Sequence, residues 1–175
     1  GEQPMSQHTL FRLLWLRENA PGALDRAHAW LMTPGIINYR LTGRMTNDPT
    51  TADSMMLMDI RRRGYSKSLI RRAGLEVSLF PTLVEPGTII GTVTPKAAAG
   101  LGLPPGVPVV AAGHDTQFAV AGSGCPPGEA ILSSGTWEIL FVRRAAPDTS
   151  ARARALGLKN ECDAVTGLFD SGFQW

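Results

Sequence analysis

The apolar positions of this chain change their rhythm along its length. In "TLFRLLWLREN", residues 9–19, Leu10, Phe11, Leu13, Leu14, Trp15 and Leu16 stand beside Arg12, Arg17 and Glu18. That spacing predicts a helix with a wide apolar face, ended by Pro21 and Gly22. A second helix is predicted over residues 23–31. "TPGIINYRLTGR" predicts a third, with Thr33 as N-cap, Pro34 in the first turn and Gly43 as the stop. "TNDPTTADSMMLMDI" reads as a turn entering a short helix, with Met55, Met56 and Met58 as core filler. "YSKSLIRRAGL" predicts a helix closed by Gly74.

From Phe80 to Gly106 the chain is rich in Pro and Gly and reads as extended connections, with a short helix near "PKAAAGLG". "VPVVAA" is an apolar, β-branched run, as expected of a buried strand. "TQFAVAGSG" reads as a short helix ending in glycine. "AILSSGTWEILFVRR" reads as two strands joined at Ser134-Gly135, and "GLKNECDAVTGLF" adds a further strand and a turn. The order is mostly helical before residue 106 and mostly β after it, which places the chain in the α/β class. No internal repeat or low-complexity segment is visible.

Composition narrows the function classes. The 175 residues suffice for one ordinary domain or parts of two, and 43% apolar with 18% charged content fits a globular core. No apolar run is long enough for a membrane helix, and no signal-peptide pattern opens the chain. A net charge of +2 is too weak to argue for nucleic acid. The basic clusters Arg61-Arg62-Arg63, Arg71-Arg72 and Arg143-Arg144 have acidic neighbours and read as solvated faces. Cys125 and Cys162 lie far apart in no metal spacing, so free thiols in a reducing, cytoplasmic compartment are expected. His8, His28 and His114 have no zinc spacing, and neither a P-loop nor a nucleophile elbow occurs.

Two places could carry chemistry. Asp115, in "GHDTQFAVAGSG", follows the end of an apolar strand, where ligands sit in open α/β sheets. It reads either as a general base or as a cap on the helix beginning near Thr116. In "SSGTW", residues 133–137, Ser134, Gly135 and Thr136 form a turn dense in donors. Its backbone N–H groups could hold a phosphate, or it could be a plain hairpin turn.

Together, "GHDT" and, about 18 residues on, "SSGTW" resemble the FGGY family of carbohydrate kinases. "TLFRLLWLREN" resembles that family's first signature, with Arg12 where a Lys is usual. "YRLTGRMTNDPTTADSMMLMDI" is similar to the family segment that follows, with Asp48 at its acidic position and Asp59 near its end. The resemblance spans essentially the whole chain. It implies two RNase H-like, actin-like ATPase domains with a cleft between them, here the helix-rich back part of the first and the first strands of the second. The division would fall near Gly106, giving residues 1–106 and 107–175. ATP with Mg²⁺ would bind against the second domain and a sugar deep in the cleft. The resemblance makes Asp115 the catalytic base for a primary sugar hydroxyl. Ser134, Gly135 and Thr136 would contact nucleotide phosphates, and His114 and Gln117 the sugar. No protein metal ligand is expected.

Within the family, "GHDTQFAVAGSG" with "LSSGTWEILFV" looks most like members acting on L-fuculose. Members acting on L-rhamnulose share "GHDT" and "SSGTW" but look different at Gln117-Phe118 and Glu138. The family's D-x-G-[ST]-[ST] phosphate hairpin and its adenosine-holding glycine-rich segment do not occur in the sequence. The expectation is therefore an internal portion of a kinase, inactive by itself, with exposed strand edges that invite self-association. A different class, a non-catalytic binding module on a kinase-like core, fits the same pattern.

Overall fold

The computed structural model describes residues 4–135 and 137–175. Thr136, expected at the phosphate turn, lies outside the described residues. The first half is built of short helices around an apolar core. Helix α1 (Thr9–Asn19) buries Leu13. It packs on α2 (Pro21–Asp25), α4 (Pro49–Asp53) and α5 (Lys67–Arg72), where Ala52, Met55, Leu57, Ile70, Leu75, Leu79 and Phe80 complete the core. Asp48 and Ser66 cap α4 and α5, each accepting a backbone N–H of the first turn. Such a cap is worth about 1 kcal/mol. Between α4 and α5 lies a two-stranded ribbon of β1 (Met58–Asp59) and β2 (Gly64–Tyr65).

The expected helix over 23–31 is shorter and earlier, ending at Asp25. Tertiary hydrogen bonds override helical propensity beyond it. Trp30 N–H donates to Leu79 O at 2.7 Å. Asn47 Nδ2 donates to Trp30 O at 3.0 Å, and Asn47 Oδ1 accepts Met32 N–H at 2.8 Å. The extended segment leads into α3 (Thr33–Thr42), where Met32 rather than Thr33 takes the N-cap position. Gly43 ends α3 in the left-handed conformation, φ 74°, which glycine adopts without steric cost.

β3 (Ile89–Thr92) and β4 (Pro108–Val110) form an antiparallel pair around α6 (Pro95–Leu101). One face covers a second core of Ile90, Val93, Ala98, Val109 and Ala111. The other face is open, with Ile89 and Val110 paired across it and exposed. The apolar run at "VPVVAA" is thus not a strand buried on both faces. In a two-stranded ribbon, successive side chains point to opposite faces and only one is covered.

Helix α7 (Asp115–Gly122) leads into a four-stranded sheet. Its strands are β5 (Ala130–Ser134), β6 (Glu138–Arg144), β7 (Lys159–Cys162) and β8 (Phe169–Gln174), in spatial order β5-β6-β8-β7, all antiparallel. Helix α8 (Ala151–Ala155) bridges β6 and β7. No described helix is long and apolar enough to cross a membrane. Cys125 and Cys162 are free thiols. Burial pushes the Cys162 thiol well above its ordinary range, with the Asp53 carboxylate adding to the effect.

The two halves meet through polar contacts. Arg63, in a left-handed turn at φ 48°, grips Glu85 with Nε and Nη2 at 3.0 and 2.7 Å. It also donates to Leu168 O and Asp163 O, at 3.0 and 3.1 Å, and lies 5.9 Å over the Phe169 ring. Asp53 Oδ2 accepts the Cys162 N–H at 2.7 Å. Two arginines from the supposedly solvated clusters are therefore structural, Arg63 part-buried and Arg143 buried. Arg63 turns inward at the left-handed residue. Arg143 and Arg144 point to opposite faces of β6, and only Arg144 reaches solvent.

Candidate functional site

His114 is the N-cap of α7: its Nδ1 accepts the Thr116 N–H at 3.2 Å. Asp115 is the first helical residue, and its Oδ1 accepts the same N–H at 2.8 Å. The expected cap therefore sits one residue earlier, with Asp115 assisting it. The Asp115 side chain is 97% exposed. His114 Nδ1 lies 3.0 Å from its Oδ1. A carboxylate so placed keeps free oxygen lone pairs for a ligand hydroxyl.

Asp115 opens onto a cleft of about 550 Å³. Arg12 and His8 of the first half line it, and Trp137, Lys159 and Glu161 face them from the sheet. Lys159 Nζ lies 3.0 Å from Glu161 Oε1 and donates to Gln174 Oε1 at 2.6 Å. Arg12 is exposed along the opposite side. Burial lowers the His8 imidazole below its ordinary range, and Lys159 adds to that shift. His8 Nδ1 lies 3.0 Å from Met5 N and 2.9 Å from Met5 O, accepting from the first or donating to the second according to its tautomer. The cleft thus combines the open Asp115 carboxylate with the exposed Arg12 cation and a Lys159–Glu161 ion pair.

The predicted site residues are only partly brought together. His114 and Asp115 share the cleft. Gln117 is buried beneath it, 1% exposed, with Nε2 donating to Glu161 and Oε1 without a hydrogen-bond partner. Ser134 and Gly135 are exposed on the β5–β6 turn, outside the cleft lining, where Ser134 Oγ donates to Glu138 Oε1 at 2.8 Å. Trp137, from the same turn, does reach the cleft. Sequence reasoning missed Lys159 and Glu161. Their signal was a pair of charges at alternate positions of "KNEC", both on one face of a strand.

An open carboxylate at a helix start, facing a cleft lined by Arg12, Lys159 and Glu161, sits here on an α/β arrangement of the actin-like ATPase fold class. The sequence pattern of the "FGGY family of carbohydrate kinases, N-terminal domain" matches residues 1–122, and the chain belongs to the FGGY family. It is 49% identical to the L-fuculokinase of Escherichia coli strain K12 over 175 residues, which is 100% of this chain and 37% of that protein. It is 37% identical to the rhamnulokinase of Bacteroides thetaiotaomicron over 165 residues, 92% of this chain and 33% of that protein. The xylulose kinase of Rhodospirillum rubrum shares the fold: TM-score 0.84 at 24% identity, covering 97% of this chain and 34% of that structure. The chain thus spans about a third of the length of these relatives.

Proposed function

We propose that this chain forms part of an ATP-dependent sugar kinase acting on the primary C1 hydroxyl of L-fuculose. The observation that carries the reading is the open Asp115 carboxylate at a cleft shared with Arg12 and Lys159, in a chain 49% identical to an L-fuculokinase. Asp115 is the general base. The sugar oxygen attacks the γ-phosphorus of ATP, its proton passes to the Asp115 carboxylate, and the bond from γ-phosphorus to the bridging oxygen breaks to release ADP. A base so placed contributes about 10²- to 10⁴-fold. Ser134, Gly135 and Thr136 contact the nucleotide phosphates. His114 contacts the sugar directly, and Gln117 supports that side of the cleft through Glu161.

A Mg²⁺ ion would enter with ATP, held by the nucleotide phosphates together with one or two carboxylates, as is usual for magnesium in kinase sites. When bound, magnesium screens phosphate charge. Two domains divide near Gly106 in this reading, with β4 reaching back across the division to pair with β3. The 175 residues alone do not turn over, because they span only 37% of that relative and phosphoryl transfer needs both walls of a closed cleft.

The test is a panel of ketoses with a coupled ADP readout on the full-length protein, L-fuculose giving the highest kcat/KM. Asp115→Asn lowers kcat by about 10²-fold or more and leaves sugar affinity by calorimetry nearly unchanged. Near-parental turnover of Asp115→Asn removes the base assignment. A preference for L-rhamnulose replaces the sugar and keeps the mechanism. Robust L-fuculose phosphorylation by the 175-residue chain alone removes the claim of incompleteness.

A further inference from the structure

We infer that Asp48, the N-cap of α4, and Thr50, in its first turn and 64 residues upstream of His114, are positioning residues for Asp115. The inference rests on the reading of Asp115 as the base. Asp48 does more than cap α4. Its Oδ1 accepts the Thr51 N–H at 2.9 Å, which an ordinary N-cap would do. The same carboxylate also accepts the hydroxyls of Thr50, on Oδ1, and Thr51, on Oδ2, the latter at 2.7 Å.

A threonine hydroxyl has one proton. With that proton held by Asp48, the Thr50 oxygen is fixed as an acceptor. It accepts the backbone N–H of His114 at 2.9 Å. The residue before His114 must be glycine for this contact to exist. A Cβ on Gly113 would stand 2.1 Å from Thr50 Oγ1 and 2.5 Å from Asp48 Oδ1.

Asp48 and Thr50 are buried, 4% and 2% exposed, whereas the carboxylate they support is almost wholly exposed. Asp115 has no packing of its own to fix it, so the anchored Gly113-His114 backbone sets its place. The other end of α4 grips β7 through Asp53 and the Cys162 N–H. One five-residue helix therefore fixes the Asp115 loop and the strand carrying Lys159 and Glu161 at the same time.

A misplacement of about 1 Å in a reacting group can cost about 10²-fold. In the full-length protein, Thr50→Val keeps the side-chain shape and removes the hydroxyl. It is expected to lower kcat by about 10- to 100-fold with KM for ATP within about twofold. Thr50→Ser restores kcat to within about threefold of the parent, and Thr50→Val adds no further loss in an Asp115→Asn background. Asp48→Asn keeps a capping oxygen but cannot accept both hydroxyls. It gives the same kcat-selective loss and decides the matter if Thr50→Val does not fold. A parental kcat in either folded variant overturns the inference, as does a tenfold loss on adding Thr50→Val to Asp115→Asn. Near-parental turnover of Asp115→Asn itself would instead remove the reading of the base, independently of Thr50.

Discussion

Two groups of aspartates in this chain meet opposite environments. Asp115 stands in water at the start of α7, its Oδ1 accepting the Thr116 N–H beside His114 Nδ1. Asp163 and Asp170 are wholly buried against β6, 0% exposed. Arg143 meets Asp163 as a fork, Nε to Oδ2 at 2.6 Å and Nη2 to Oδ1 at 3.1 Å. Its remaining nitrogen reaches Cys125 O at 3.4 Å. Asp170 is paired across the sheet with Arg143 and with Glu161, but neither of its oxygens has a hydrogen-bond donor among the described residues. The difference teaches where the carboxylates can act. The exposed one is open to solvent; the buried ones are closed to any ligand, and of them Asp163 anchors Arg143 of β6.

The largest stability effect separates these roles. Arg143→Met leaves Asp163 buried without its cation. Breaking a buried pair from one side costs about 3–5 kcal/mol, so the urea midpoint of the full-length protein drops sharply. Adding Asp163→Asn recovers part of the loss, because the stranded charge is gone. A cost under about 1 kcal/mol, the range of exposed ion pairs, would collapse the distinction between the two groups.

That distinction was half legible in the sequence. The periodicity over residues 9–19 gives α1, and "SSG" marks the β5–β6 turn, because local spacing decides both. "NDPTTAD" shows Asp48 as a cap, but nothing local shows that Thr50 reaches His114. The solvated reading of Arg143 fails for the same reason, since its partner Asp163 is 20 residues away on another segment. Asp115 was visible because "GHDT" is a contiguous motif. Lys159 and Glu161 were not, because a strand contributes single residues to a cleft whose other side comes from residues 8–12.

A smaller effect is a pH dependence of opposite sign to the usual carboxylate. Burial first, and the neighbouring Asp163 carboxylate second, push the Asp170 carboxyl up to about 8. In the unfolded chain it titrates near the ordinary value of about 3.9. Between those values the folded state holds a proton that the unfolded state has released. Stability conferred by that proton is full below about pH 4 and is lost as pH rises toward about 8. Asp170→Asn mimics the protonated form, so the variant gains on the parent as pH rises and matches it near pH 4. Urea midpoints of both proteins from pH 4 to 9 test this. Parallel profiles would show that Asp170 does not titrate in that window.

The smallest change, Ser134→Ala, tests the exposed side of the comparison. Ser134 sits on a solvent-facing turn, and among the described residues its hydroxyl donates to Glu138 Oε1. Surface substitutions of this kind fall within about 0.5 kcal/mol, so the melting temperature stays within about 2 °C of the parent. If the turn holds nucleotide phosphates, the missing hydroxyl is felt only when ATP is bound. KM for ATP then rises about 3- to 10-fold, the net loss of one solvent-exposed hydrogen bond of about 1 kcal/mol, while KM for the ketose is unchanged. An unchanged ATP KM would reduce the turn to a plain hairpin. A fall in melting temperature as large as that of Arg143→Met would move Ser134 from the ligand-facing group to the structural one.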